Sequence, residues 1–107
     1  MRTITMANYM NEQDNDLFQF FGGYFHQDWE LDNLTWQDVI RHFVQDVERE
    51  EPITISTKIN RLLASSVSDE DLCKVVQDLG CYYWPGSASD MRPWLNQLAQ
   101  ALRQEVG

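Results

Sequence analysis

The chain is short of positive charge. Eight Lys and Arg stand against 17 Asp and Glu, which leaves a net charge of −9 at neutral pH. A phosphate backbone or an anionic membrane surface would be repelled, so direct binding to nucleic acid or to a membrane is disfavoured. The chain also lacks the run of about 18 apolar residues that crosses a bilayer. Its opening residues, M-R-T-I-T-M-A-N-Y-M, lack the apolar centre of a signal peptide. The expected location is therefore the cytosol. There are only two cysteines, Cys73 and Cys81, and two histidines, His26 and His42. Cytosolic thiols stay reduced, and these four residues show no zinc-ligand spacing. A phosphate loop is missing as well, because Gly22-Gly23 lacks the third glycine and the lysine. No Ser, Thr or Cys sits in a catalytic frame. Neither an enzyme nor a cofactor is expected.

Aromatic rings are plentiful in one place. Leu17–Trp29 reads L-F-Q-F-F-G-G-Y-F-H-Q-D-W and holds four of the five Phe. On a helical wheel Leu17, Phe18, Phe20, Phe21, Tyr24 and Phe25 share one broad face, the amphipathic-helix pattern. The register carries across Gly22-Gly23, which favours a helix over a turn there. Two interior glycines cost about 2 kcal/mol relative to alanine. Close approach by a neighbouring helix or a bulky ring would offset that.

The remaining chain punctuates itself. Residues 1–13 read as a loosely ordered lead-in, with Tyr9 and Met10 docking on the core. Asp14, Asn15 or Asp16 caps the first helix. Trp29–Leu34 is a connector. Thr35–Asp38, T-W-Q-D, is a capping box that opens a second helix running to about Arg49. Trp36, Val39, Ile40, Phe43 and Val47 form its apolar face. Pro52 suits the first turn of a third helix, from Pro52 or Thr54 to Ser65. P-I-T-I-S-T has strand character too, but a lone strand makes no stable sheet. Ser68–Asp71, S-D-E-D, is a second capping box, and Gly80 is the left-handed residue ending the fourth helix. Cys81–Trp84 is an apolar loop folded onto the core, and Pro85-Gly86 is a turn. Ser89 or Asp90 caps a fifth helix with Pro93 in its first turn and Met91, Trp94, Leu95, Leu98 and Leu102 on one face. With 107 residues, the expected fold is one all-α domain over residues 14–107, an irregular bundle of about five helices.

F-F-G-G-Y-F-H-Q-D-W, residues Phe20–Trp29, resembles the signature of a family of CdiI-type immunity proteins of bacterial contact-dependent growth inhibition systems. L-G-C-Y-Y-W-P, Leu79–Pro85, resembles the same family's C-terminal half. The likeness spans about residues 14–105; residues 1–13 and the loop Asn33–Thr35 match no named pattern. It implies a small helical protein that binds the C-terminal toxin domain of its cognate CdiA as a heterodimer and blocks the toxin's active site. Such toxins are often nucleases, with a ribonuclease the leading expectation. Within the signature Phe20, Phe21, Gly22, Gly23, Tyr24, Phe25, His26, Asp28 and Trp29 are read as structural.

Charge is consistent with that implication. A nuclease cleft is basic because it holds phosphates, and an acidic protein mimics that ligand. The run Asp46, Glu48, Glu50, Glu51 is the candidate toxin-binding surface. Acids at a helix C-terminus oppose its dipole; Glu50 and Glu51, however, favour the start of the next helix, and a plain solvated face fits as well. Asp28 has two readings. A continued first helix would turn it into the apolar face, with Tyr82, Tyr83, a Trp N–H or Arg92 as partner. A helix ending near His26 would leave Asp28 bonding backbone N–H groups in the next turn. Two other functions stay open: a metal-binding or enzymatic helical domain using His26, Asp28 and His42, and an adaptor for basic peptides.

Overall fold

The computed structural model describes residues 15–65 and 67–107. These residues form one all-α domain with no strand. Helix α1 runs through residues 15–24. It is followed by α2, Trp29–Asp32; α3, Trp36–Asp46; α4, Glu50–Ala64; α5, Asp69–Asp78; and α6, Ala88–Val106. The expected lead-in, with Tyr9 and Met10, lies outside the described residues. None of these helices is long and apolar enough to cross a membrane.

Helix α6 is the axis. Met91, Trp94, Leu95, Leu98 and Leu102 are all buried on its one apolar face, as their 3–4 spacing requires. It packs against α3, α4 and α5. Its seam with α4 has a polar latch: the buried Ser56 hydroxyl donates to the Ala99 carbonyl at 2.8 Å and accepts from Arg103 Nε at 2.9 Å. Helix α1 closes the core with rings. Phe20 meets Phe43 of α3 edge-on at 4.7 Å, and Phe25 meets Trp94 of α6 at 5.6 Å.

The glycine pair is helical, as favoured. What approaches it is a turn rather than a helix or a ring. After α5, Gly80 takes φ +97°, and a Cβ there would lie 2.8 Å from Gly22 Cα. Gly80 N–H donates to Gln77 O and Cys81 N–H to Val76 O, the paired bonds of a Schellman cap. The next residue, Tyr82, donates its N–H to Phe25 O at 2.8 Å. The signature and the Leu79–Pro85 patch are thus tied to each other backbone to backbone.

Caps set the other boundaries. Thr35 and Asp38 form the reciprocal box at the start of α3. Ser68 Oγ accepts the Asp71 N–H at the start of α5. Pro52 lies in the first turn of α4, and Ile55 and Ile59 are buried on that helix, so the strand-like stretch is helical.

Several expectations are corrected. The connector Trp29–Leu34 contains the short helix α2. Helix α3 stops at Asp46 rather than near Arg49, because Val47 is extended (φ −122°, ψ 170°) and half-buried against the core. Helix α6 begins at Ala88, and its N-cap Ser87 makes no side-chain cap bond; the Ser87 hydroxyl pairs with Ser89 Oγ instead. Pro93 consequently falls in the second turn, where its missing N–H leaves the Ser89 carbonyl without its helical donor. Asn15 and Asp16 are already helical, so neither caps α1. Phe18, at the margin of the wheel stripe, is 54% exposed.

Candidate functional site

The acidic run surrounds one corner. Asp46 ends α3, Glu48 lies in the connector, and Glu50 and Glu51 open α4. Asp46, Glu48 and Glu50 are exposed and Glu51 is half-exposed. The dipole argument therefore divides. Glu50 and Glu51 sit where the α4 dipole favours anions, whereas Asp46 sits at the unfavourable end of α3. Asp46 has a specific partner: it accepts the Tyr24 hydroxyl at 3.1 Å. Partial burial, and then that bond to Asp46, raise the Tyr24 phenol above its ordinary value. Tyr24 thus stays a donor at neutral pH. Its ring packs edge-on against Phe43 at 5.0 Å, so the aromatic core fixes the carboxylate's position.

An open groove of about 410 Å³ adjoins this corner. Its lining includes Gly23, Tyr24, His26, Asp32, Asn33, His42 and Asp46. The structure therefore brings His26 and His42 to one depression. Asp28 is not among its lining residues. Helix α1 ends before it, and its exposed carboxylate makes no capping bond to α2. The reading with Asp28 in the apolar face is overturned. What Asp28 contributes to the turn is its N–H, donated to His26 Nδ1 at 3.0 Å. Arg92, one of its suggested partners, is instead bonded to Leu63 O, Val67 O and Asp69. Among the described residues no three His, Cys, Asp or Glu side chains converge to hold a metal, so His26, Asp28 and His42 do not form a ligand set.

No pattern in the sequence marks Asp32 or Asn33 as site residues. They lie in what read as a plain connector, and only the fold carries them to the groove. Asn33 Nδ2 donates to Trp29 O at 2.8 Å, closing α2. Its Oδ1 is buried with no protein partner among the described residues.

The segment after Gly80 has no regular secondary structure, and its burial alternates. Cys81 is buried and Tyr83 half-buried, with the Tyr83 ring stacked on Trp94 at 4.5 Å. Tyr82 and Trp84 point outward, 62% and 49% exposed. The expectation that the whole loop folds onto the core holds only for its alternate residues, Cys81 and Tyr83. Both cysteines are free thiols. Burial pushes Cys81 up to about 12. Burial also raises Cys73, helped by Asp69 and Glu70. Neither is a thiolate at neutral pH, the form a nucleophile requires.

A family model described as CdiI immunity protein matches residues 7–102. That match takes in residues 7–13 and the connector 33–35, for which the sequence offered no named pattern. No curated protein and no solved structure matches the chain. With nearly its whole length matched, and with the Phe20–Trp29 signature and the Leu79–Pro85 patch joined in one core, the chain belongs to the CdiI immunity protein family.

Proposed function

We propose that this protein is a cytosolic, non-enzymatic inhibitor of the C-terminal toxin domain of its cognate CdiA. The toxin is read as a ribonuclease whose active site the inhibitor covers in a one-to-one complex. The family match over residues 7–102 carries the reading. The surface supports it. A net charge of −9 complements a phosphate-binding cleft. Asp46, Glu48, Glu50 and Glu51 gather acidity at one accessible corner, and inhibition needs complementary shape and charge rather than catalysis.

The test uses the toxin-coding frame adjacent to this protein's own. Cells expressing that toxin domain should survive only when the inhibitor is co-expressed. The purified pair should co-elute, and RNA cleavage by the toxin should stop at one equivalent of inhibitor. Lack of protection together with lack of binding would sink the immunity reading. Protection of a toxin that leaves RNA intact would remove only the ribonuclease assignment.

A further inference from the structure

The groove beside the acidic corner has a one-sided chemistry. Asp32 and Asp46 line it, and among the described residues no Lys or Arg does. Asn33 lies on the same lining. The Tyr24 hydroxyl proton is already committed to Asp46. Such a surface offers acceptors and negative charge, and calls for a cationic group rich in donors. The aromatic residues Tyr24, His26 and His42 also line it. A planar guanidinium stacks on rings while its fork of N–H groups reaches carboxylates; a lysine ammonium does only the second. Resting on the immunity reading, we infer that this groove receives an arginine side chain of the toxin.

The groove and the corner then have separate tasks. Exposed Glu48 and Glu50, with half-exposed Glu51, attract the toxin from a distance. A guanidinium seated among Asp32, Asp46 and the rings is partly desolvated, and its loss acts on dissociation. Asp46 belongs to both regions, so the test separates them by the residues each does not share.

Two measurements decide the matter. The first is amide NMR of the free protein titrated with Nα-acetyl-arginine N-methylamide and with its lysine and citrulline counterparts. The arginine derivative should shift the amides of Gly23, Asn33, His42 and Asp46 saturably, the lysine one less, and neutral citrulline not at all. Asp32→Asn combined with Asp46→Asn should abolish the shifts, with circular dichroism confirming an intact fold. The second is the dissociation rate of the toxin complex. The Asp32→Asn/Asp46→Asn protein should dissociate about tenfold faster or more, and Glu48→Lys/Glu50→Lys/Glu51→Lys at nearly the parent rate. Unselective or absent shifts, or a parent dissociation rate in the groove variant, would overturn the inference and leave the immunity reading standing. A parent protein that binds no toxin would instead overturn the immunity reading, and with it the toxin as the source of the arginine.

Discussion

Gly80 and Gly23 are near neighbours in the fold with opposite expected responses to a methyl group. Gly80 combines a positive φ with a Cβ position 2.8 Å from the Gly22 backbone. Backbone cannot swing aside as a side chain does, so Gly80→Ala should cost about 2–3 kcal/mol. At Gly23 a Cβ meets nothing within 4 Å, and Gly23→Ala should stabilise the helix by up to about 1 kcal/mol. Urea midpoints check both; a tolerated Gly80→Ala would mean that the Gly22–Gly80 contact does not hold the two signature patches together. Phe21 and Tyr24 likewise part company. Phe21 is fully buried, so Phe21→Ala should cost about 3–5 kcal/mol. Tyr24 is only half-buried, and its truncation should cost clearly less, although the wheel placed both on one face. Cys81 supplies a pH test. Its folded-state pKa of about 12 lies above the ordinary 9.0. Between these values the unfolded thiol loses its proton and the folded one keeps it, so stability should fall as pH rises above about 9, by at most about 1.4 kcal/mol per unit. Tyr24 and Tyr83, also raised, act in the same direction at higher pH. The parent and Cys81→Ala should therefore converge in stability between pH 8.5 and about 10. A constant difference across that range would refute the assignment.

At the scale of elements, Arg92 is the clearest fastener. From α6 its guanidinium donates to Leu63 O at the end of α4, to Val67 O in the connector and to Asp69 at the start of α5. One side chain thus holds three elements in register. Its side chain is 35% exposed, which discounts the gain, and Arg92→Ala should cost about 1–2 kcal/mol in denaturant. Arg92→Lys should recover little, since a point charge cannot span three acceptors; full recovery would reduce the interaction to simple charge. That role was not legible in the sequence, where Arg92 read only as a possible mate for Asp28. Local features were legible because their causes are local. The Thr35–Asp38 box, the Ser68 cap, the left-handed Gly80 and the buried face of α6 all follow from residues within a turn or two of one another. Where two local signals compete, the boundary moved. Val47 turned extended to reach the core and ended α3 early, and Ser87 rather than Ser89 or Asp90 became the cap of α6. The alternation of Tyr82 and Trp84 outward depends on Tyr82 N–H finding Phe25 O, a pairing across the chain that no pattern within one segment encodes. The groove is non-local in the same sense. Its histidines and acids come from α2, α3 and the turn between α1 and α2, and only their packing makes one lining of them.

For the whole molecule the dominant quantity is charge. A net charge of −9 attracts a basic cleft over about one Debye length, roughly 10 Å at 0.1 M salt. Association with a basic toxin should therefore be fast and should slow as salt rises. Net charge alone would make every carboxylate equivalent; a corner that meets the cleft would not. Glu48→Lys/Glu50→Lys/Glu51→Lys should slow association by about tenfold or more at low salt. Reversing exposed Glu70, Asp71 and Asp78 on α5 changes the net charge equally and should slow it far less. The Glu50 and Glu51 reversals also remove acids from the first turn of α4, at about 0.3–1 kcal/mol each, so helix content is checked alongside. Stopped-flow binding across a salt series distinguishes the cases. Equal slowing by the two triple reversals would make the attraction a property of net charge and remove the α3–α4 corner from the interface. On-rates independent of salt for parent and variants alike would show that the toxin's contact face is not basic, and the electrostatic part of the mechanism would fall. If the corner variant alone loses on-rate and its rate no longer responds to salt, Glu48, Glu50 and Glu51 face the toxin during encounter. Weaker protection of toxin-expressing cells should then follow from slower capture, because a toxin acts for as long as it stays unbound.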